Sequence, residues 1–494
     1  MKDVFQVRPC EGPVNIDVRV PGSKSMTNRA LLLAALAEGE SILRGVGMSD
    51  DSRVFMEALI ALGFDLTEKY EADGSISIRV IGHGGALPQK KAKVYVGSAG
   101  TAARFLTAMT ALSDGEYEVS SSDQMKARPM RELLEALELL GARFTYHEEP
   151  YAFPFTVRGR NYIEENTSAE REEASPESAM QGETSDQPIP VIPLNIDRSS
   201  QFLSALLLCA PMIPEGCTIH LTGTRSARSY VEITERMMIQ FGYNPPQRSE
   251  VANKVLTEQR CDIDPQNTYS VAPNSSYSAR DYAIEPDASA ACYFYAMAAA
   301  CTGTARVRGM TRANTQGDMR FLDVLSQMGC TVSEIKSEDA DNGELLVTRA
   351  PESPLHGIDI DMSDFSDQTM TLAAIAPFAD SPTTITGVAH IRGQESNRIE
   401  AIVTELNRLG IECEEREDGV RIQPLEKEKQ NGGERTDSGN DHPAEDVLVR
   451  TYNDHRMAMA FAVTGLHLPG VSIDNPACCR KTFDNYFEIL SGIR

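Results

Sequence analysis

Three cations stand where helices should begin, an unfavourable place for positive charge. Lys24 lies in Pro21-Gly22-Ser23-Lys24-Ser25, Arg128 directly precedes Pro129, and Arg456 closes Tyr452-Asn453-Asp454-His455-Arg456. A helix N-terminus carries unpaired N–H groups and the positive end of the helix dipole, so it attracts anions and disfavours cations. Ordinary capping by Ser, Thr, Asp or Asn accounts for a residue such as Ser289. It does not account for Lys24, Arg128 or Arg456 unless an anion lies between each cation and its helix. Lys126, Arg398, Arg480, Lys481 and the acidic Glu395 sit at the starts of a second set of helices. If all these starts face one side of their part of the molecule, two such faces meeting would enclose a cationic cleft suited to small polyanions. Such a cleft would steer anions inward even in an acidic protein.

The elements that would hold these residues recur six times, which must be recognised before any fold is assigned. Each copy runs through an apolar helix, a Gly or Pro turn, a short strand, a polar loop and an amphipathic helix. The apolar helices are expected at 29–37, 102–112, 201–210, 288–301, 369–378 and 455–466, and the strands at 41–46, 117–121, 218–222, 305–309, 383–387 and 471–474. The amphipathic helices follow at 53–62, 129–140, 229–241, 318–328, 397–409 and 482–493. Leu133, Leu134, Leu137 and Leu140 show the spacing of a half-buried helix. The first helix of each copy is apolar nearly all round and is expected inside, under a sheet, which predicts an α/β protein of two domains with three repeats each. Boundaries at 284–286 and 19–21 give one domain of residues 20–284 and a second of 1–19 plus 285–494. The strand-like stretch 4–17 would pair within the second. Two segments, 161–190 and 427–444, lack the apolar residues that offset ordering entropy and are expected to be surface insertions; the first carries eight acidic residues against one Arg.

The chain has 494 residues, with 47 Lys plus Arg against 72 Asp plus Glu and a formal net charge of −25. That balance argues against a nucleic-acid partner, whose affinity rests on neutralising phosphates. The apolar runs at 202–213 and 288–301 are shorter than the roughly 18–20 residues that a membrane span requires, so no membrane partner is expected either. The first twenty residues lack the apolar core of a secretory signal. Ten cysteines show no zinc-like spacing and read as free or buried thiols. A cytoplasmic location is therefore expected.

Five segments, in order and spacing, resemble the 5-enolpyruvylshikimate-3-phosphate synthases, or 3-phosphoshikimate 1-carboxyvinyltransferases. They are PGSKSMTNRALLLAAL at 21–36, GSAGTAAR at 97–104, SSQFLSALLL at 199–208, TYNDHRMAMAF at 451–461 and RKTFDNYF at 480–487. The resemblance covers the chain apart from the two insertions. It implies two domains of three βαβαββ-type repeats with inner buried helices, an inside-out α/β barrel, with the active site in the interdomain cleft. It further implies transfer of the enolpyruvyl group of phosphoenolpyruvate to the 5-hydroxyl of shikimate 3-phosphate, on the route to chorismate and the aromatic amino acids. It implies that neither a metal nor an organic cofactor is needed; a monomer is expected.

Carried over residue by residue, the resemblance places Lys24, Ser25 and Arg29 on shikimate 3-phosphate, with Ser199 and Ser200 on its phosphate and Asp367 and Gln394 on the same substrate. Gln201 lies between the substrates. Phosphoenolpyruvate falls against Lys24, Gly100, Arg128, Arg398, Arg456 and Lys481, where the planar fork of Arg suits carboxylate and phosphate oxygens. Asp367 and Glu395 are the catalytic carboxylates, aided by Lys24 and Lys481. One group must take the hydroxyl proton and another must protonate the methylene carbon, giving a tetrahedral intermediate that eliminates phosphate. A carboxylate beside several cations has a lowered pKa, which favours Asp367 as the base.

The chain departs from the family pattern on the acceptor side. His390 and Gln394 replace the Asn and Lys of many members, and Ala227 aligns with a phosphate-binding Ser, leaving Ser226 or Arg228 to compensate. The UDP-N-acetylglucosamine enolpyruvyl transferases share the donor but usually carry a cysteine in the loop of the second repeat. Here 120–129 has none. A catalytically silent anion-binding protein on the same fold is the remaining alternative, and intact Asp367, Glu395 and Lys481 argue against it.

Overall fold

Helices that are apolar on every side have to be enclosed, and the arrangement of the chain follows from that requirement. The computed structural model describes residues 4–163, 189–223, 228–245, 267–336, 343–425 and 446–493. Most of both expected insertions, together with Ser226, Ala227 and the side chain of Arg228, lies outside the described residues. Helix Ala288–Cys301 buries thirteen of its fourteen residues, and Lys24–Leu36, Gly100–Ala111, Gln201–Cys209, Thr369–Ile375 and His455–His467 are similarly enclosed. The amphipathic helices, such as Arg131–Leu139 and Arg398–Arg408, bury one face only.

Among the described residues there are six sheets, one for each repeat. In four of them an inner helix connects two parallel strands, as Gly100–Ala111 connects Lys91–Tyr95 to Glu116–Ser120. An antiparallel strand then joins, here Phe155–Arg158. The other two sheets exchange their first strands. Val14–Val18 pairs in parallel with Gly303–Thr311, and Asp281–Ala283 pairs in parallel with Glu38–Arg44. Two hydrophobic cores result, one from residues between Met26 and Ile284, the other from Val7, Val14 and Ile16 with residues between Ala288 and Leu490.

Two chain segments cross between these cores side by side. Ser23 N donates to Glu285 O at 2.8 Å, and Asp287 N to Pro21 O at 2.9 Å. Gly22 and Gly47 meet there backbone to backbone, and a Cβ on either would overlap a carbonyl of the facing segment. Only glycine fits so close an approach.

The first inner helix starts at Lys24 rather than at residue 29, because Ser23 caps it by accepting from Met26 N. Lys24 and Ser25 therefore stand inside its first turn. The outer helices of the fourth and sixth repeats open as 3₁₀ turns, Gly317–Arg320 and Pro476–Lys481, before continuing as Phe321–Gln327 and Tyr486–Gly492. No helix among the described residues is long and apolar enough to cross a membrane.

Candidate active site

The expected cations do converge, but carboxylates converge with them. A cleft of about 760 Å³ between the two cores is lined by Lys24, Ser25, Arg29, Gly100, Arg128, Ser199, Ser200, Gln201, Asp367, Gln394, Glu395, Arg398 and Arg456. Lys481 stands behind Glu395, with Nζ 3.3 Å from its Oε1.

Local structure explains why these ends attract anions. The helix Gly100–Ala111 begins without a side-chain cap, so its first N–H groups are left for another acceptor, whereas in Gln201–Cys209 the first two N–H groups turn back onto Ser199, Gln201 N to its Oγ at 3.3 Å and Phe202 N to its O at 3.4 Å. A Cβ on Gly100 would stand 2.9–3.1 Å from Arg104 Nη1, Gln201 Oε1 and Arg128 Nη1. The missing side chain is thus what lets three polar groups approach one point. Arg104 is buried and donates to Gly100 O and Pro129 O, fixing the loop that carries Arg128.

At the centre lies an ion-pair network. Arg398 is 1% exposed and contacts three carboxylates: Asp454 at 2.9 Å, Asp367 at 3.1 Å and Glu395 at 2.8 Å. Arg456 Nη2 donates to Asp367 Oδ2 at 2.6 Å, and Tyr230 Oη donates to the same oxygen at 2.8 Å. Burial works to raise the pKa of Asp367, but Arg456, Arg398 and the Tyr230 bond overcome it and hold the carboxyl at about 2. Glu395 resolves the same conflict in the same direction: Lys481, Arg398 and Arg128 keep it well below the usual carboxylate range. Both carboxylates are therefore ionised near neutrality. Asp367 keeps 24% of its side chain exposed, which leaves it reachable.

Contacts across the cleft bring residues of the two halves together. Gln124 Nε2 donates to Glu395 O at 3.0 Å, Arg128 Nη2 to Gln394 Oε1 at 3.3 Å, and Lys481 Nζ to Ser98 O at 3.3 Å. Gln394 thus serves as a neutral acceptor for Arg128, and His390 is hydrogen-bonded to Ser366 Oγ at 2.8 Å.

Arg29 carries partners of its own, and two expectations about the distribution of charge need correction. Arg29 lines the cleft, but its guanidinium already bonds Thr234, Ser25 O, Ser204 and Tyr230 O. Burial lowers its pKa to about 10. Lys126 turns to Glu148 and Arg480 to Asp484, so not every helix start feeds the cleft. Nor is the cleft purely cationic. Asp51, 3.2 Å from Lys24 Nζ, joins Asp367 and Glu395 in it.

Asp51, Tyr230, Asp318, Asp454 and His455 were missed by the sequence reading, although Asp51, Asp318 and His455 lie at helix starts like the residues it selected. His455 is buried, and burial together with Lys24 and Arg456 pushes its pKa well below 6.5, so its ring is neutral. Asp318 accepts from Ser289 Oγ and, at 2.8 Å, from Gln368 Nε2. Burial and the neighbouring Asp367 raise its pKa to about 6 against the pull of Arg456.

That shift has a checkable consequence. A folded-state pKa raised above the unfolded value of 3.8 makes stability fall as pH rises from about 4 to about 6. Both bonds to Asp318 reach one oxygen, which an amide oxygen can replace. Asp318→Asn should therefore unfold about 2–5 °C higher than the unmodified protein at pH 7 and lose that advantage at pH 4, as read by calorimetry.

A cleft between two α/β halves, where each half supplies charged groups to buried carboxylates, is the arrangement of a two-domain enzyme acting on small anionic substrates. The model of the EPSP synthase (3-phosphoshikimate 1-carboxyvinyltransferase) family matches residues 10–490, and the chain belongs to that family. It is 39% identical over 485 residues to the 3-phosphoshikimate 1-carboxyvinyltransferase of Nostoc sp. PCC 7120, covering 98% of each chain. Identity is 37% over 478 residues, 96% of each chain, to the enzyme of that name from Escherichia coli SMS-3-5. The solved EPSP synthase of Acinetobacter baumannii shares the fold, with a TM-score of 0.70, 22% identity and 99% of each chain covered.

Proposed function

We infer that the protein transfers the enolpyruvyl group of phosphoenolpyruvate to the 5-hydroxyl of shikimate 3-phosphate and releases phosphate, within the route to chorismate. The observation that carries this reading is the pair Asp367 and Glu395, held ionised by Arg398, Arg456, Lys481 and Arg128 in a cleft that Lys24 enters from the other half. Arg128, Arg398, Arg456, Lys481 and the Gly100 end of its helix bind the donor's phosphate and carboxylate, with Lys24 and Gln201 between the substrates. Ser25, Arg29, Ser199, Ser200 and Gln394 bind the acceptor. Arg29 acts largely by positioning, given its internal bonds.

Asp367, more open than Glu395, takes the hydroxyl proton. Because both carboxylates are ionised, the proton for the methylene carbon comes from a cation, and the Lys481 ammonium beside Glu395 is placed to supply it. Collapse of the tetrahedral intermediate then returns a methyl proton to the Lys481 amine, forms the enol double bond and expels phosphate into the guanidinium set.

We assign residues 20–284 to one domain and 1–19 with 285–494 to the other, each closing as an inside-out α/β barrel around its inner helices. The two separate cores and the six sheets support this division. The protein acts as a monomer in the cytoplasm.

The test is phosphate release by purified protein with phosphoenolpyruvate and either of two acceptors. Shikimate 3-phosphate should support turnover at least about 10³ times faster than UDP-N-acetylglucosamine, since a site built for one acceptor's polar groups strongly rejects another. Equal rates would overturn the acceptor assignment.

A further inference from the structure

The residues leading into Arg456 are held in a backbone conformation that one of them disfavours. Thr451–Asp454 is a β-turn closed by Asp454 N donating to Thr451 O at 2.8 Å. Both central residues take left-handed φ, 55° at Tyr452 and 57° at Asn453. A turn with positive φ at both central positions suits Gly, Asn or Asp. Asn453 fits that rule, but Tyr452 does not, because in this conformation its Cβ crowds the following carbonyl. Such strain persists only where the surroundings over-determine it, and it gathers at functional sites.

What holds the turn is one face of the helix Arg398–Arg408. Before the turn, Glu405 Oε1 accepts from Tyr452 Oη at 2.8 Å, and its Oε2 accepts from Arg450 N at 3.1 Å. After the turn, Arg398 Nε donates to Asp454 Oδ2 at 2.9 Å. Arg398 and Glu405 are both buried on this helix, about two turns apart, so together they bracket the turn. Glu405 is 0% exposed, and Arg408 Nη1 is its third donor. A carboxylate taken out of water needs such partners, and two of the three belong to the chain entering the turn. Beyond it, Asp454 caps the next helix by accepting from Arg456 N at 3.0 Å, and Arg456 Nη2 reaches Asp367 at 2.6 Å. Asn453 Oδ1 also accepts at 3.1 Å from Nδ2 of Asn475, the residue that precedes the 3₁₀ turn carrying Lys481.

We propose that Glu405 is a positioning residue for the donor side of the cleft: through Tyr452 Oη and Arg450 N it holds the strained turn that sets Asp454 on Arg398 and aims Arg456. The inference rests on the assignment of Arg456 to phosphoenolpyruvate. Neither Glu405 nor Tyr452 lines the cleft, so both act through the backbone of the turn. The acceptor's Ser25, Ser199 and Ser200 belong to the first half of the molecule, which these bonds do not reach.

The test is steady-state kinetics of Tyr452→Phe, which removes the hydroxyl and keeps the ring at a residue 40% exposed. The KM for phosphoenolpyruvate should rise about 10-fold or more while that for shikimate 3-phosphate stays within about threefold, since a misplacement of about 1 Å caused from outside the reacting centre can cost 10²-fold. The unfolding temperature should fall by no more than about 4 °C. Glu405→Gln, which turns an amide nitrogen towards one of the two donors, should raise the donor KM as well. Combining the two should give less than the product of their separate effects, because both break one clamp. An unchanged donor KM in Tyr452→Phe, or donor and acceptor KM raised alike, would overturn the proposal and leave Glu405 a stabilising residue only. So would effects that multiply in the double variant. Turnover of the unmodified protein is read separately in the acceptor comparison, so failure of the activity itself is a distinct result.

Discussion

Lys24→Ala should lower the rate of phosphate release by about 10³-fold or more while shifting the unfolding temperature by no more than about 3 °C. Lys24 is one of the cations that the first core contributes to the cleft, and its Nζ pairs with Asp51 at 3.2 Å. Losing one preorganised charge at a reacting centre typically costs about 10²–10³ in rate, and Lys24 is assigned to both substrates. Its side chain remains 15% exposed, and its helix is held by the Ser23 cap and eleven buried residues, so the fold does not depend on it. Near-normal turnover in this variant would remove Lys24 from the site and leave the cleft without its assigned link between donor and acceptor.

Arg398→Met should have the largest effect on both stability and activity. The guanidinium is the shared partner of Asp367, Glu395 and Asp454. Its removal strands negative charge in a buried place, which costs about 3–5 kcal/mol when a single pair is broken this way. The sign with pH follows from Asp367. Its folded-state pKa lies at about 2, below the unfolded value of 3.8, so it adds stability above the unfolded value that is lost as pH falls towards 2. Without Arg398 that pKa rises, and acid unfolding should begin at a higher pH than in the unmodified protein. Acid titration followed by circular dichroism would show it. A midpoint that does not move, with turnover retained, would mean that Arg456 and Lys481 balance the carboxylates alone.

How much of this could be read before folding depends on the kind of signal. The repeat was legible because each inner helix is apolar on every side, and a helix of that composition has to be enclosed wherever it lies. Ala288–Cys301 and Val471–Asp474 fell at their expected bounds, since turn residues flank both. The first helix was placed five residues late, because the periodicity begins after Arg29 whereas the cap lies at Ser23. Lys24, Arg128 and Arg456 stood out by contradicting the helix dipole. Asp51, Asp318 and Asp454 did not, because an acid near a helix start is what capping predicts anyway.

The sequence by itself therefore determined the six copies, the inner helices and the identity of the cations, since periodicity and charge are properties of neighbours along the chain. Tertiary structure decided the rest. The strand exchange of Val14–Val18 and Asp281–Ala283, the turning of Lys126 to Glu148, and the convergence of Asp367 and Asp454 on Arg398 join residues that lie far apart in the chain, whereas Arg480 with Asp484 and Arg398 with Glu395 are local pairs. Whether a charged group faces substrate or a partner depends on which surface the opposite half brings to it. Burial then sets the strength of each such pairing, because low solvent access magnifies charge interactions that water would screen.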